Sequence, residues 1–380
     1  MKILVTGTHF TPAQAVIEEL QKWNGTKIVY IGRKFTREGD DSSSAESQVL
    51  PKMGVKFLPL TTGRLQRKFT IYTIPSILKI PFGFFQALYF LLREQPEVVL
   101  SFGGYVAVPT VFAAWLLSVP VIIHEQTLVS GLANTISSWF ADKVAVSFPD
   151  NTLAKSRSVL TGNPMRQELI STDGVSFHEQ EIKEVISLVH KEELPLILVT
   201  GGNQGSHVIN EALGEVLEEL TEQALVIHQT GDSKFQDFAK LEAKKNGLKH
   251  PQRYVVRKWI EGSDMGNIFK NAGLVVARAG ANTLLELSYF QVPALVIPLP
   301  YISRDEQNIN AKFFQRAGLA KILPQSELSG KRLLEDITQM LKDLPELKRE
   351  ASRAKSLVIP DAAKRLALET LTLIRQREIA

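Results

Sequence analysis

Two histidines, a glutamate and several glycine turns mark where chemistry belongs in this chain. His9 sits in ILVTGTHFTPAQAV (Ile3 to Val16), directly after an apolar strand and a glycine and before a helix-like segment. His124 and Glu125 open HEQTLVSGLAN (His124 to Asn134). Imidazole and carboxylate groups suit proton removal from a hydroxyl near neutral pH, so His9, His124 and Glu125 are the acid–base candidates. A histidine at a strand end serves equally well as a hydrogen-bonded structural residue, and the residue types leave both readings open. SFGGYVAVP (Ser101 to Pro109) adds a further glycine turn after a strand.

The second half carries groups for binding an anion and a sugar. TGGNQGSHVINEAL (Thr200 to Leu213) follows a strand and precedes a helix. Its glycines allow close backbone approach, and amides at a helix start point toward negative charge. The turn lacks the Gly-Lys-Ser/Thr ending of a Walker loop and is no strict dinucleotide fingerprint. ARAGANTLLELS (Ala277 to Ser288) repeats the strand–glycine–helix order and places Glu286 about one turn into the helix. There a carboxylate can accept from two ribose hydroxyls or simply be a solvated helical residue near a favourable dipole end. In PLPYISRDEQNINA (Pro298 to Ala311), Gln307, Asn308 and Asn310 supply amides suited to sugar hydroxyls. No His-x-His, His-Glu-x-x-His or Asp-x-Asp spacing occurs, so no metal site is expected. A leaving diphosphate would be met by helix ends and by cations such as Arg166 or Arg278.

These residues need a scaffold that brings strand ends together. ILVTG at Ile3–Gly7 returns as ILVTG at Ile197–Gly201, half a chain later. Each copy heads an alternation of short apolar strands and helical segments. In the first half strands are expected at 2–6, 27–31, 98–101, 121–124 and 144–146, and in the second at 196–200, 224–229, 254–257, 274–277 and 294–297. Such alternation predicts parallel doubly wound sheets, and the repeat predicts two of them. Ligands of such sheets lie beyond the carboxyl ends of the strands. The fold class is therefore α/β, with two Rossmann-like domains facing a central cleft. A hinge is expected near LTGNPMRQE (Leu160 to Glu168), and helices broken at Pro360 close the chain.

Composition narrows the rest. With 380 residues the chain can form two full cores. The absence of cysteine excludes disulfides and thiolate-ligated metals, and a net charge of +4 favours an anionic partner. The N-terminus enters a strand directly, without a signal-peptide pattern. Phe102 to Ile123 is uncharged and long enough to cross a bilayer, but Gly103, Gly104, Pro109 and Pro120 predict a turn, a buried helix from about Pro109 and a strand instead. TIPSILKIPFGFFQALYFLLR (Thr73 to Arg93) carries Ile74, Ile77, Leu78, Ile80, Phe82, Phe84 and Phe85, interrupted by Pro75, Pro81 and Gly83, with Arg64, Arg67, Lys68 and Lys79 nearby. Ala87–Leu92 reads as core helix. The proline-broken part before it suits either a bilayer interface or a loop packed on its own domain.

Taken in order, FGGYVAVP, HEQ…GLAN, TGNPMR, GGNQGSHVINEAL, RAGANTLLEL and DEQNINA resemble the MurG family, peptidoglycan glycosyltransferases with the GT-B fold. The resemblance runs from His9 to about Leu323. It implies transfer of N-acetylglucosamine from UDP-GlcNAc to the C4 hydroxyl of MurNAc in undecaprenyl-pyrophosphoryl-MurNAc-pentapeptide (lipid I), with inversion and without a cofactor or metal. It implies a donor site made of Thr127, Arg166, Asn203, Gln204, Gly205, Ile260, Ala281, Asn282, Thr283, Leu284, Leu285, Glu286 and Gln307. In that set Glu286 meets the ribose, Ile260 the uracil and Gln307 the GlcNAc hydroxyls. An acceptor and phosphate loop follows from Thr6, Gly7, Thr8, Gly103, Gly104 and Asn134, with His9 activating the acceptor hydroxyl or touching its pyrophosphate. Ile74, Ile77, Leu78, Lys79, Phe82, Phe84 and Phe85 become the patch that rests on the anionic cytoplasmic leaflet.

The same resemblance implies an acceptor and membrane domain at 1–163, a UDP-GlcNAc domain at 164–355 and a C-terminal helix at 356–380 that packs back on the first. It implies a peripheral protein of the cytoplasmic membrane face, with cell-wall synthesis proteins as partners and no nucleic acid. Three places depart from the family pattern. The N-terminal loop is shortened, with Thr6 and Thr8 where glycines are usual; Thr127 replaces an asparagine, and Asn203 replaces a serine. Two other readings remain: another GT-B enzyme of UDP-sugars, such as a lipid glycosyltransferase or a UDP-GlcNAc 2-epimerase, and a catalytically weakened UDP-GlcNAc-binding homologue.

Overall fold

A computed structural model describes residues 1–35, 44–63, 73–151, 153–170, 177–202, 204–232, 234–300 and 305–379, with the side chains of 73–77 and 377–379 outside the description. The chain divides into two compact units. The first is Met1–Arg166 with Ile359–Ala380, and the second is Gln167–Val358.

The first unit is built on seven parallel strands: β1 (Lys2–Thr6), β2 (Lys27–Gly32), β3 (Lys56–Pro59), β4 (Val98–Ser101), β5 (Val121–Glu125), β6 (Lys143–Val146) and β7 (Ser158–Leu160). Their order is β3-β2-β1-β4-β5-β6-β7. The order reverses between β1 and β4, which is where a doubly wound sheet opens a crevice at its carboxyl edge. Ile3, Leu4 and Val5 of β1 and Val98, Val99 and Leu100 of β4 are wholly buried, as expected for central parallel strands covered on both faces. The helix Ala362–Ile379 returns to this unit. Its Leu366, Ala367, Leu371 and Ile374 share one core with Ala13, Val16, Ile17 and Leu20 of the helix Phe10–Gln21.

The second unit repeats the plan with β8 (Leu196–Thr200), β9 (Leu225–Gln229), β10 (Tyr254–Arg257), β11 (Ala272–Ala277), β12 (Ala294–Val296) and β13 (Ala320–Ile322). The order is β10-β9-β8-β11-β12-β13, so its switch point lies between β8 and β11. The two ILVTG copies therefore occupy the same place, on the first strand of each sheet and beside its crevice.

Three strands are absent from the sequence expectation: β3, β7 and β13. Each is an edge strand of three or four residues with partly exposed side chains. Such short edges carry no readable apolar run.

A second difference is larger. Thr73–Glu94 is a single helix with Pro81 inside it, not a proline-broken segment followed by a helix. Its inner face packs on the unit's core through Phe84, Ala87, Leu88 and Leu91, and Gln86 accepts from the Thr61 amide at 2.9 Å and donates to the Pro59 carbonyl at 3.2 Å. Tertiary packing thus outweighs the loss of one helical N–H at the proline. Phe102–Ile123 resolves into the β4 exit, the helix Ala107–Leu116 and β5. Among the described residues, no helix is long and apolar enough to cross a membrane.

Candidate functional site

At the switch point of the first unit, the turn after β1 meets the turn after β4. The Thr8 amide donates to the Gly103 carbonyl at 3.0 Å, and the Tyr30 hydroxyl donates to the Gly7 carbonyl at 3.0 Å. Gly104 has φ of +84°, and a methyl group there would overlap the Thr8 side chain. Glycine is required at that close crossing. Thr6 is fully buried and its Oγ1 meets no partner.

His9 is the residue just before the helix Phe10–Gln21 and makes no side-chain cap to it. Its side chain is exposed, and neighbouring protein and the Arg33 guanidinium lower its imidazole pKa to about 4. At neutral pH His9 is a neutral base.

His124 is buried and neutral as well, its pKa lowered to about 4 chiefly by desolvation. Its Nε2 lies 3.1 Å from the Gly162 carbonyl and 3.2 Å from Ser147 Oγ. The carbonyl can only accept, so this contact assigns the proton to Nε2; Nδ1 then carries a lone pair with no partner.

Glu125 holds the loop that follows it. Its Oε1 accepts from the Thr127 amide at 3.1 Å and the Thr127 hydroxyl at 2.8 Å. Its Oε2 accepts from the Gly131 amide at 3.1 Å and Asn134 Nδ2 at 3.0 Å. Burial pushes the carboxyl pKa up against these four donors. Thr127 is thus tied to Glu125, and Asn134 bridges Glu125 and the His124 carbonyl. Arg166 ends the first unit, and its Nε is buried with no acceptor.

In the second unit the turn after β8 is clasped from beside and behind. The Gly202 amide donates to Thr200 Oγ1 at 3.0 Å and the Gly205 amide to the Gly202 carbonyl at 3.0 Å. Gly205 has φ of +72°, and a methyl group there would collide with the Thr230 carbonyl. The helix His207–Glu215 opens without a side-chain cap, and Ser206 Oγ before it is buried without a partner. This is the arrangement that receives an anion.

A closed polar relay fixes the same corner. Buried His228, its pKa lowered to about 3 by desolvation, lies 3.0 Å from the Tyr254 hydroxyl through Nδ1 and 2.9 Å from Asn210 Oδ1 through Nε2. With a neutral ring, Tyr254 donates to Nδ1 and Nε2–H donates to Asn210. Asn210 Nδ2 then donates to the Thr230 carbonyl and to Asp237, each at 3.0 Å.

The helix Ala281–Phe290 also starts without a side-chain cap, after Gly280. Ala281, Leu284 and Leu285 are buried; Asn282, Thr283 and Glu286 are half-buried on its other face. Arg278 donates from Nη1 to the Ile297 carbonyl at 3.0 Å, and partial burial lowers its pKa to about 10, leaving it charged at neutral pH. Gln307 accepts from the Leu299 amide at 2.8 Å through Oε1. Ile260 is buried, and its amide donates to Gln229 Oε1 at 3.1 Å. Gln204 is exposed, and Asn203 lies outside the described residues. No cluster of three or more metal-ligating side chains occurs among the described residues.

The chain matches two family models: the glycosyltransferase family 28 N-terminal domain over residues 3–146 and its C-terminal domain over 196–366. It is 32% identical over 374 residues to a Bacillus cereus UDP-N-acetylglucosamine–N-acetylmuramyl-(pentapeptide) pyrophosphoryl-undecaprenol N-acetylglucosamine transferase, covering 96% of this chain and 97% of that one. The chain belongs to the MurG family.

A Natranaerobius thermophilus member with the same name is 31% identical over 386 residues, covering 98% of this chain and all of that one. The crystal structure of Acinetobacter baumannii MurG superposes with a TM-score of 0.71 at 25% identity, covering 98% and 99% of the two chains. A Neisseria meningitidis UDP-GlcNAc 2-epimerase bound to UDP-GlcNAc shares the fold, with a TM-score of 0.63 at 16% identity over 98% and all of the two chains. The two doubly wound units are thus the GT-B architecture of the MurG family.

Of the apolar patch, Leu78, Phe82 and Phe85 are exposed, the last two at 58% and 65%. Phe84 turns inward, its ring centroid 5.2 Å from that of Phe112. Lys79 is half-buried, and the side chains of Ile74 and Ile77, like Arg64, Arg67 and Lys68, lie outside the described part. Sequence reading missed how far the exposed apolar surface extends. Tyr89 and Leu92 continue the Leu78–Phe82–Phe85 stripe, and Trp115, Leu116 and Trp139 are exposed on neighbouring segments. Trp115 stacks on Phe112 at 5.7 Å, which links it to Phe84. The available signal was two tryptophans, in AAWLL and SSWF, flanked by small and apolar residues.

Proposed function

We propose that this protein transfers N-acetylglucosamine from UDP-GlcNAc to the MurNAc C4 hydroxyl of lipid I, forming a β-1,4 link and releasing UDP. The observation that carries the reading is the pairing of two family-28 units that each open a turn at the sheet's switch point: a neutral histidine at one, uncapped helix starts at the other. A neutral imidazole is what deprotonation of an alcohol needs, and helix N-termini are what a departing diphosphate needs.

The roles divide by unit. In the second, the Gly201–Gly205 turn and the start of Ala281–Phe290 hold the diphosphate, Glu286 accepts from the ribose hydroxyls, Ile260 lies beside the uracil and Gln307 reads the GlcNAc hydroxyls through its amide nitrogen. Arg278 adds positive charge toward the phosphates, and Arg166, the last residue of the first unit, is the other cation proposed for them. In the first unit, Thr6, Gly7, Thr8, Gly103, Gly104 and Asn134 shape the acceptor loop, and Glu125 and Thr127 keep it ordered. The C4 oxygen attacks the anomeric carbon from the face opposite the leaving group. The bond from that carbon to the β-phosphate oxygen breaks with its electron pair, UDP departs, and His9 takes the hydroxyl proton. Inversion follows from the single displacement.

The exposed stripe Leu78, Phe82, Phe85, Tyr89 and Leu92, with Trp115 and Trp139, suits a bilayer interface. It seats the protein peripherally on the cytoplasmic leaflet, where the acceptor's lipid tail resides; cell-wall synthesis proteins are the partners such a location offers. Incubation with UDP-GlcNAc and a short-chain lipid I analogue tests the reaction. UDP release that depends on the acceptor is expected. Tight UDP-GlcNAc binding with no release in the acceptor's presence would contradict it.

A further inference from the structure

Gln229 ends β9 and is 97% shielded from solvent, which leaves its amide to the groups around it. Its carboxamide touches both parts of the proposed donor site at once. Nε2 lies 3.3 Å from the Gly202 carbonyl and 3.4 Å from Thr200 Oγ1, and Oε1 accepts from the Ile260 amide at 3.1 Å. Gly202 and Thr200 form the turn that opens toward the phosphates, while Ile260 belongs to the segment assigned to the base. The pairing register explains the placement: Gln229 lies directly opposite Thr200 across the β8–β9 ladder. A side chain at a strand's carboxyl end, next to the switch strand, reaches the neighbouring turn without leaving the sheet edge.

We propose that Gln229 is a positioning residue for the donor: one buried amide sets the spacing between the turn that receives the diphosphate and the backbone that borders the uracil. This rests on the donor assignment above and names a device in it. The two arms are chemically distinct. The donor arm, Nε2–H, restrains the turn, and the acceptor arm, Oε1, restrains Ile260. A planar amide holds both at fixed separation, so a nucleotide that spans both subsites meets a preformed site and is spared the ordering of loops on binding.

Gln229→Glu separates the arms. It keeps an oxygen for the Ile260 amide, removes the donor and sets a carboxylate against the Gly202 carbonyl. Thr200→Val removes the shared hydroxyl alone and leaves Gln229 in place. Affinities for uridine, UDP and UDP-GlcNAc are measured by calorimetry on the full chain, together with KM and kcat. Gln229→Glu should weaken UDP about tenfold or more while uridine changes by less than about threefold, the scale set by losing a buried hydrogen bond. KM for UDP-GlcNAc should rise with UDP, and kcat should change less than KM.

Thr200→Val should act in the same direction, and the double variant should lose less than the two single losses combined. If Gln229→Glu does not fold, Thr200→Val decides by the same UDP-to-uridine ratio. Equal weakening of uridine and UDP, or no change in either, would overturn the proposal. A wild-type protein that binds neither UDP nor UDP-GlcNAc would overturn the donor assignment and this inference with it.

Discussion

The two ILVTG strands present a natural experiment within one molecule. Both are the first strand of a doubly wound sheet, both stand at the switch point, and both end in a threonine followed by glycine. Their threonines nevertheless differ. Thr6 Oγ1 is buried and has no partner, whereas Thr200 Oγ1 accepts from the Gly202 amide and lies within reach of Gln229. The ladder partners differ: Thr6 faces Ile31 and Ser101, and Thr200 faces Gln229 and Ala277. The first turn is held by contact with the next loop, through Thr8 and Gly103. A polar neighbour ties the second turn into a network. The difference is in keeping with the roles proposed for the two turns, acceptor loop in one unit and nucleotide site in the other.

The largest test of that contrast removes the proposed base, His9, from the first turn. His9→Gln should lower kcat by about 10²–10⁴-fold, the usual worth of a general base, while UDP affinity, measured calorimetrically, stays unchanged. In the wild type, the acid limb of kcat/KM should fall below pH 6.5, toward 4, because crowding and Arg33 disfavour the imidazolium. The linkage has the same sign. The folded state resists protonating the buried His124 and His228, so their contribution is present above about pH 6.5 and is lost as pH falls toward their folded values. A thermal-melt series across that window reads it.

Glycine substitutions probe the two turns next. Gly205→Ala puts a methyl into the Thr230 carbonyl at a positive φ and should cost on the order of 3 kcal/mol in stability or an equivalent loss of UDP affinity. Gly104→Ala also puts a methyl at a positive φ, against the Thr8 side chain rather than a backbone carbonyl, so calorimetry and melts should show a loss of stability there that is real but smaller. The proposed membrane face follows. Phe82→Ser with Phe85→Ser should reduce partitioning onto anionic liposomes about tenfold or more, with activity on a water-soluble acceptor retained. Smallest is the direct pair: Thr200→Val should cost about 1 kcal/mol by denaturant melts, and Thr6→Val about none or less, since its hydroxyl has no bond to lose. Equal costs would break the comparison.

The buried parallel strands could be read directly, since β1, β4, β5, β8, β9 and β11 are continuous apolar runs with turn residues beyond them. The repeat of ILVTG identified the two sheets, and the motifs at their ends supply the residues of the candidate site. What escaped reading depends on neighbours distant in the chain. Edge strands β3, β7 and β13 exist because a partner strand lies alongside. Pro81 was a local breaking signal overruled by the packing of Phe84, Ala87 and Leu91. Gln229 sits in HQTG with no motif to single it out, and only the β8–β9 register reveals what its amide holds. Glu125 was legible as a carboxylate near the site, but the four donors that engage it come from three residues brought together by the loop's fold.

The central claim is the transfer itself, and the most direct measurement is the structure of the product. The protein is incubated with UDP-GlcNAc and a lipid I analogue, and the purified lipid is analysed by mass spectrometry and by the anomeric proton coupling in NMR. A mass gain of one N-acetylhexosamine with a β-1,4 linkage to MurNAc is the predicted result. Consumption of UDP-GlcNAc to its 2-epimer or to free sugar, with the lipid unchanged, would contradict the account.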